Sequence, residues 1–371
     1  MTTPPNTKAS TRLRIARLDG LRGLAVLSVV AFHAETHLGL LARPGGGFVG
    51  VAVFFVLSGY LITHLVWRSH DGASVSGYWA FLRRRFSRLA PALIAFVVIW
   101  GLVLFILGRE PIGRILRSGA LAATQTSAYY LAVGWKENAG WGPTWSLSVE
   151  WCFYLIWPLI ILYLRRRGVT PRTAGRVAIG LGLILYAAAL PLTDTQFYFL
   201  PLANVSVLLW GGALALRHVR KSAGGDPVLA LFGLVLLLAM VVAPGNQGGP
   251  YRWLFLPAAV IAALIVVDCR PEPLGWWGGR LLEMRPLRAA GLRAYSIYLW
   301  HVPVMWLVFQ VLPGRPGYVV AGLSLLVLIP VVWASFELLE RPWLSRGVRD
   351  TSAAAPDPTR RSPEATRPAV V

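Results

Sequence analysis

Apolar residues run through this chain in ten blocks, at 17–39, 47–67, 88–108, 144–164, 175–192, 198–216, 227–243, 252–268, 292–312 and 317–337. A bilayer core takes roughly 17 to 25 such residues as one helix. The pattern therefore predicts an all-α polytopic membrane protein with about ten transmembrane helices. The first block is not read as a cleaved signal: it is too long, and no small-residue cleavage site precedes the turn at Arg43-Pro44-Gly45. Residues 109–143 are long for a loop and predict an interfacial or re-entrant helix around 112–130. Residues 1–11 and 344–371, rich in Pro, Thr, Ala and Arg, read as disordered tails around a transmembrane domain at 12–343. No internal repeat of the kind that builds two-halved transporters is visible.

Composition strengthens this picture. Hydrophobic residues make up 56% of the 371 and charged residues only 14%, against about 25% in a soluble domain. The two cysteines, Cys152 and Cys269, lie within or at the end of apolar runs and suggest neither a bridge nor a metal site. The charge is strongly basic, 36 Lys+Arg against 16 Asp+Glu, which in a soluble chain would raise nucleic-acid binding. Here the basic residues sort by side. Alternating the spans puts 28 on the side of the N-terminus, 7 on the other, and Arg22 within the first block. The positive-inside rule then predicts both termini in the cytoplasm and absorbs the excess charge, leaving no call for nucleic acid.

Ionisable groups within a span are costly and point to function. Four stand out: Arg22, His33, Glu150 and His301. Arg22 and His33 are eleven residues apart, close to three full turns, so they share one helix face about 16 Å apart along the axis. Arg22 alone could snorkel or pair with Asp19, and His33 alone could serve helix packing. His37 lies one turn beyond His33, but no third ligand is evident, so no metal is expected. Glu150 falls six residues after Thr144, and counting from the outer boundary puts it at the depth of His33. A carboxylate can fix a histidine tautomer and make it a competent base; a structural buried pair is the alternative. Arg85 and Arg88 share a face within Arg83-Arg84-Arg85-Phe86-Ser87-Arg88, where planar guanidinium groups suit phosphate, although topology alone explains many such clusters. His301, counted at roughly 14 Å into its helix, reads as a packing or pore-lining residue. Ser58-Gly59-Tyr60 offers a small-residue point for close helix approach.

Taken in order, RLDGLRGLAVLSVVAFH, GGFVGVAVFFVLSGYLIT, RRRFSRLAP, PTWSLSVEWCFYLIWP, YSIYLWHVP and the closing ERP resemble the acyltransferase-3 family of integral-membrane acyltransferases, from Arg17 to about Pro342. The resemblance implies ten spans and transfer of an acyl group, often acetyl, from acyl-CoA to a hydroxyl of a carbohydrate or of a secondary metabolite such as a macrolide. It implies His33 as the essential histidine and Arg22 as the basic residue of the R–x10–H motif. Arg85 and Arg88 match the pair associated with the acyl-CoA donor, and Glu150 the acid of the segment whose serine is Ser148. Ser148, Tyr154 and His301 are expected to line the substrate path. Only a short tail follows Pro342, which suggests a stand-alone member without a C-terminal esterase-like domain. The expected setting is a bacterial cytoplasmic membrane. The rival reading is a proton-coupled transporter with His33, Glu150 and His301 as its relay.

Overall fold

The computed structural model describes residues 7–38, 46–69, 74–135, 140–218, 227–242, 250–268 and 277–343. Those residues form helices and connecting turns, with no strand among them. In chain order the helices are α1 (Thr7–Leu38), α2 (Gly47–Arg68), α3 (Val75–Ile106), α4 (Ile112–Ala123), α5 (Ser127–Ala132) and α6 (Thr144–Arg166). There follow α7 (Pro171–Ala189), α8 (Asp194–Phe199), α9 (Pro201–His218), α10 (Pro227–Val242) and α11 (Pro250–Asp268). The chain closes with α12 (Trp277–Leu282), α13 (Arg285–Leu292), α14 (Ala294–Val311) and α15 (Gly317–Ser335), the last running into a π-turn at Phe336–Glu340. Each of the ten apolar blocks overlaps one long helix. Among the described residues, six helical stretches are long and apolar enough to cross a membrane by length and composition: Gly47–Arg68, Val75–Ile106, Thr144–Arg166, Asp194–Arg217, Ala294–Val311 and Gly317–Trp343.

Three boundaries differ from the pattern of apolar blocks. Helix α3 starts thirteen residues before its block, because Ser74 caps it by accepting the Gly77 N–H at 3.0 Å. The arginine cluster therefore lies inside a continuous helix, not at its entrance. The helix expected around 112–130 is two, α4 and α5, separated by a turn in which Gln125 takes a left-handed φ of 58°. Of the expected tails, 1–6 and 344–371 lie outside the described residues, and 7–11 open α1.

Backbone contact between helices is set by glycine. A Cβ on Gly59 would stand 1.9 Å from the Leu208 carbonyl oxygen of α9, and one on Gly211 would stand 2.2 Å from that of Val56. The small-residue point read at Ser58-Gly59-Tyr60 is thus the α2–α9 crossing. At the other flank, α13 lies on α1 just as closely: a Cβ on Gly291 would be 1.7 Å from the Asp19 carbonyl oxygen. Gly59→Ala must push two backbones apart, and overpacking of this kind costs about 1–3 kcal/mol. The expected result is a lower unfolding temperature in detergent; an unchanged one would show that α2 and α9 do not need this contact.

Candidate functional site

Two apolar clusters make the core. One gathers α1, α2, α6, α7 and α9; the other gathers α3, α14 and α15. At their seam lies a cavity of about 110 Å³ whose wall includes Arg22, Arg85, Arg88, Ser58, Glu150 and Tyr298. Every basic residue expected to hold the donor thus faces one chamber. Helix α3 explains the selection within the cluster: Arg85 and Arg88, three apart, turn inward, while Arg83 and Arg84 are exposed.

The arginines are unevenly compensated. Arg22 pairs with Asp19 at 3.2 Å, so the local partner weighed from the sequence is present although Arg22 also faces the cavity. Arg85 donates to the Tyr154 hydroxyl at 2.7 Å and stacks 4.6 Å above its ring. Arg88 has no hydrogen bond or ion pair among the described residues, and the Nε atoms of both Arg85 and Arg88 are buried without a protein acceptor. Glu340, buried on the π-turn, also lines the chamber and is held by the Ser296 hydroxyl. A buried guanidinium without a bonded partner, as at Arg88, is costly in isolation and favours an anionic ligand.

Glu150 is bound on both oxygens. Ser58 donates to Oε1 at 2.5 Å and Tyr154 to Oε2 at 2.8 Å. The chain Arg85–Tyr154–Glu150–Ser58 therefore ties α3, α6 and α2 together at the chamber wall.

His33 meets His301, not Glu150. His301 Nε2 stands 3.2 Å from His33 Nδ1, with ring centroids 4.9 Å apart. The surrounding acceptors assign the protons. His301 Nδ1 lies 2.8 Å from the Tyr298 carbonyl and 3.1 Å from that of Ile297, so it carries hydrogen and Nε2 bears the lone pair. His33 Nδ1 in turn lies 3.0 Å from the Val29 carbonyl. In the neutral tautomer that fits these contacts, its single N–H is shared between that oxygen and His301 Nε2, and the lone pair of His33 lies on Nε2. A histidine held in one tautomer through Nδ1–H, with Nε2 basic, is suited to general-base work.

The depth match between Glu150 and His33 does not hold. Ser146, one turn before Glu150, bonds the Tyr298 hydroxyl at 2.7 Å, and Tyr298 precedes His301 by three residues. Those offsets put Glu150 about 10 Å from the histidine pair along the bundle. Helix α2 agrees: Gly47 packs on Phe32, beside His33, and Ser58 lies eleven residues on, about 16 Å. Counting from Thr144 takes no account of what packs on that end of α6. Its first turn is covered by α5, where Ser127 and Thr144 hydroxyls meet at 2.8 Å.

Ser148 is another correction. It bonds the Thr144 carbonyl at 3.3 Å and accepts the Ala128 N–H at 3.5 Å, so it joins α6 to α5 rather than lining the chamber. Ser146 lines it instead, and its i, i+4 spacing to Glu150 was the signal available in the sequence. Tyr154 is buried as a bridge. Ser58, Tyr298 and Glu340 were not read as site residues, although each lies in a segment that carries the resemblance; only the fold brings them to one wall. The side chain of His37 lies outside the described residues. Among the described residues, no three His, Cys, Asp or Glu side chains gather in a metal-holding group.

The chain is similar to known proteins along most of its length. The family described as an acyltransferase domain matches residues 15–336. The chain is 31% identical to the peptidoglycan O-acetyltransferase OatA of Listeria monocytogenes, over 92% of this chain and 57% of that protein. It is 30% identical to the putative peptidoglycan O-acetyltransferase YrhL of Bacillus subtilis, over 91% of this chain and 56% of that protein. A putative O-acetyltransferase of Staphylococcus aureus is 28% identical, over 92% of this chain and 59% of that protein. The chain thus spans somewhat over half the length of these relatives. No solved structure matches it.

Proposed function

Because this chain belongs to the acyltransferase-3 family, we propose that it is a membrane O-acyltransferase moving an acetyl or other short acyl group from acyl-CoA to a hydroxyl of a cell-wall glycan. The observation that carries the reading is the chamber shared by Arg22, Arg85 and Arg88, with Arg88 lacking a protein partner among the described residues. A phosphorylated donor supplies the missing negative charge. The relatives named for peptidoglycan favour a glycan acceptor over a macrolide.

In this reading all ten long helices cross a bacterial cytoplasmic membrane, with both termini in the cytoplasm. Acyl-CoA enters from that side, its phosphates on the arginines and its thioester extended toward His33. His33 Nε2 takes the proton of the acceptor hydroxyl as that oxygen attacks the thioester carbonyl. The C–S bond then breaks, and the imidazolium returns the proton to the leaving thiolate. His301 positions the base by accepting from Nδ1–H of His33 and stabilises the imidazolium.

That positioning role makes a prediction. His301→Leu removes the acceptor and is expected to lower kcat about tenfold to a hundredfold with KM for acyl-CoA unchanged. His301→Gln, whose amide oxygen can accept the same hydrogen bond, is expected to retain more activity than His301→Leu. Equal losses in both, or a rise in KM alone, would assign His301 to packing.

A proton-coupled relay through His33, Glu150 and His301 is disfavoured by the separation of Glu150 from the histidine pair. Turnover by purified protein in detergent, with no gradient present, separates the two readings. Acyl transfer to soluble glycan is expected; donor binding without transfer, together with gradient-driven uptake in vesicles, would favour transport.

A further inference from the structure

We infer that Glu150 and Ser58 form the subsite for the pantoate end of the donor's pantetheine arm, so that Glu150 positions the donor and does not touch the reacting atoms. The inference rests on the reading of the donor as acyl-CoA. Its first ground is charge. Glu150 lines a chamber with three arginines, yet its hydrogen bonds come from Ser58 and Tyr154. A carboxylate repels the phosphates that those arginines suit, so the part of the donor that fits beside it is one that offers an uncharged N–H or O–H group.

The second ground is distance from the arginines. Arg85 and Glu150 are two hydrogen bonds apart through Tyr154, at 2.7 and 2.8 Å. In the pantetheine arm, the hydroxyl and first amide nitrogen lie roughly five and six bonds from the nearer phosphorus, about 6–7 Å at the advance per bond of an extended chain. With that phosphate on Arg85, the hydroxyl and amide hydrogens reach the Glu150 carboxylate. Ser58, whose hydroxyl now points to Glu150, can turn to donate to the neighbouring amide carbonyl.

The third ground is the other end of the arm. Its sulfur lies roughly thirteen bonds from the same phosphorus, about 16 Å extended. This equals the axial separation of about 16 Å between Arg22 and His33. The arm thus has the length to carry a thioester from a phosphate at the depth of Arg22 to the depth of His33.

The test uses three donors with the purified full chain: acetyl-CoA, acetyl-pantetheine, which has no phosphate, and S-acetyl-N-acetylcysteamine, which lacks the pantoate as well. Glu150→Gln is expected to lower kcat/KM about tenfold or more for the first two, the scale of a hydrogen bond to a charged group, and to leave the short donor unaffected. An equal loss with the short donor would put Glu150 at the reacting atoms and overturn the inference. Wild-type protein gives a readout independent of folding. Acetyl-pantetheine lacking the pantoate hydroxyl is expected to be used about tenfold less well than the parent; equal use would also overturn it. Failure of wild type to transfer acetyl from acetyl-CoA would instead defeat the proposed function itself.

Discussion

His33→Ala is expected to lower acyl transfer by about 10²- to 10⁴-fold, the range of a general base, while acyl-CoA still binds. The separation of effects follows from geometry. His33 bonds His301 and the Val29 carbonyl, and it is absent from the wall that carries the arginines. Removing its imidazole deletes the lone pair on Nε2 and leaves the anion-binding chamber untouched. Steady-state kinetics with equilibrium binding of labelled acetyl-CoA checks this. Transfer at the wild-type rate would make His33 a packing residue, and loss of donor binding in step with turnover would make it part of the donor site.

Arg88→Ala is the complementary case. It is expected to raise KM for acyl-CoA about tenfold to a hundredfold, matching the 1.5–3 kcal/mol of a charge-assisted hydrogen bond, with a smaller effect on kcat. Arg88 carries this effect because no protein group hydrogen-bonds or ion-pairs with it among the described residues and Glu340 acts on it only at longer range, whereas Arg22 has Asp19 and Arg85 has Tyr154. Acetyl-pantetheine should be used equally by variant and wild type, since it offers no phosphate. Lysine at this position should restore only part of the affinity, because a point charge lacks the planar two-point geometry. Equal loss with phosphorylated and unphosphorylated donors would remove Arg88 from phosphate binding.

The helices were legible because apolar length is a local property: each of the ten blocks overlaps a long helix. The face shared by Arg85 and Arg88 was legible for the same reason, since i, i+3 spacing within one helix needs no tertiary information. Depth was not. Glu150 was placed by counting from the start of α6, but α5 covers that start, and the carboxylate belongs with Ser58 on α2. His301 was placed nearer mid-membrane than His33, yet the two rings meet, because the level at which one helix packs on another is invisible to counting. Ser148 was favoured over Ser146 by its place in a motif, whereas helical phase assigns the chamber to Ser146. Such juxtapositions depend on glycine contacts such as Gly291 on Asp19, whose partners lie hundreds of residues apart.

The most direct measurement is a single turnover of carbon-14-labelled acetyl-CoA with purified protein and a peptidoglycan fragment, comparing wild type with His33→Ala at saturating donor. The expected result is ester-linked label on the glycan from wild type, and donor bound but label unmoved in the variant. Label reaching the glycan at the same rate in both would contradict the assignment of His33 as the base, and no label on the glycan from wild type would contradict acyl transfer to this acceptor class.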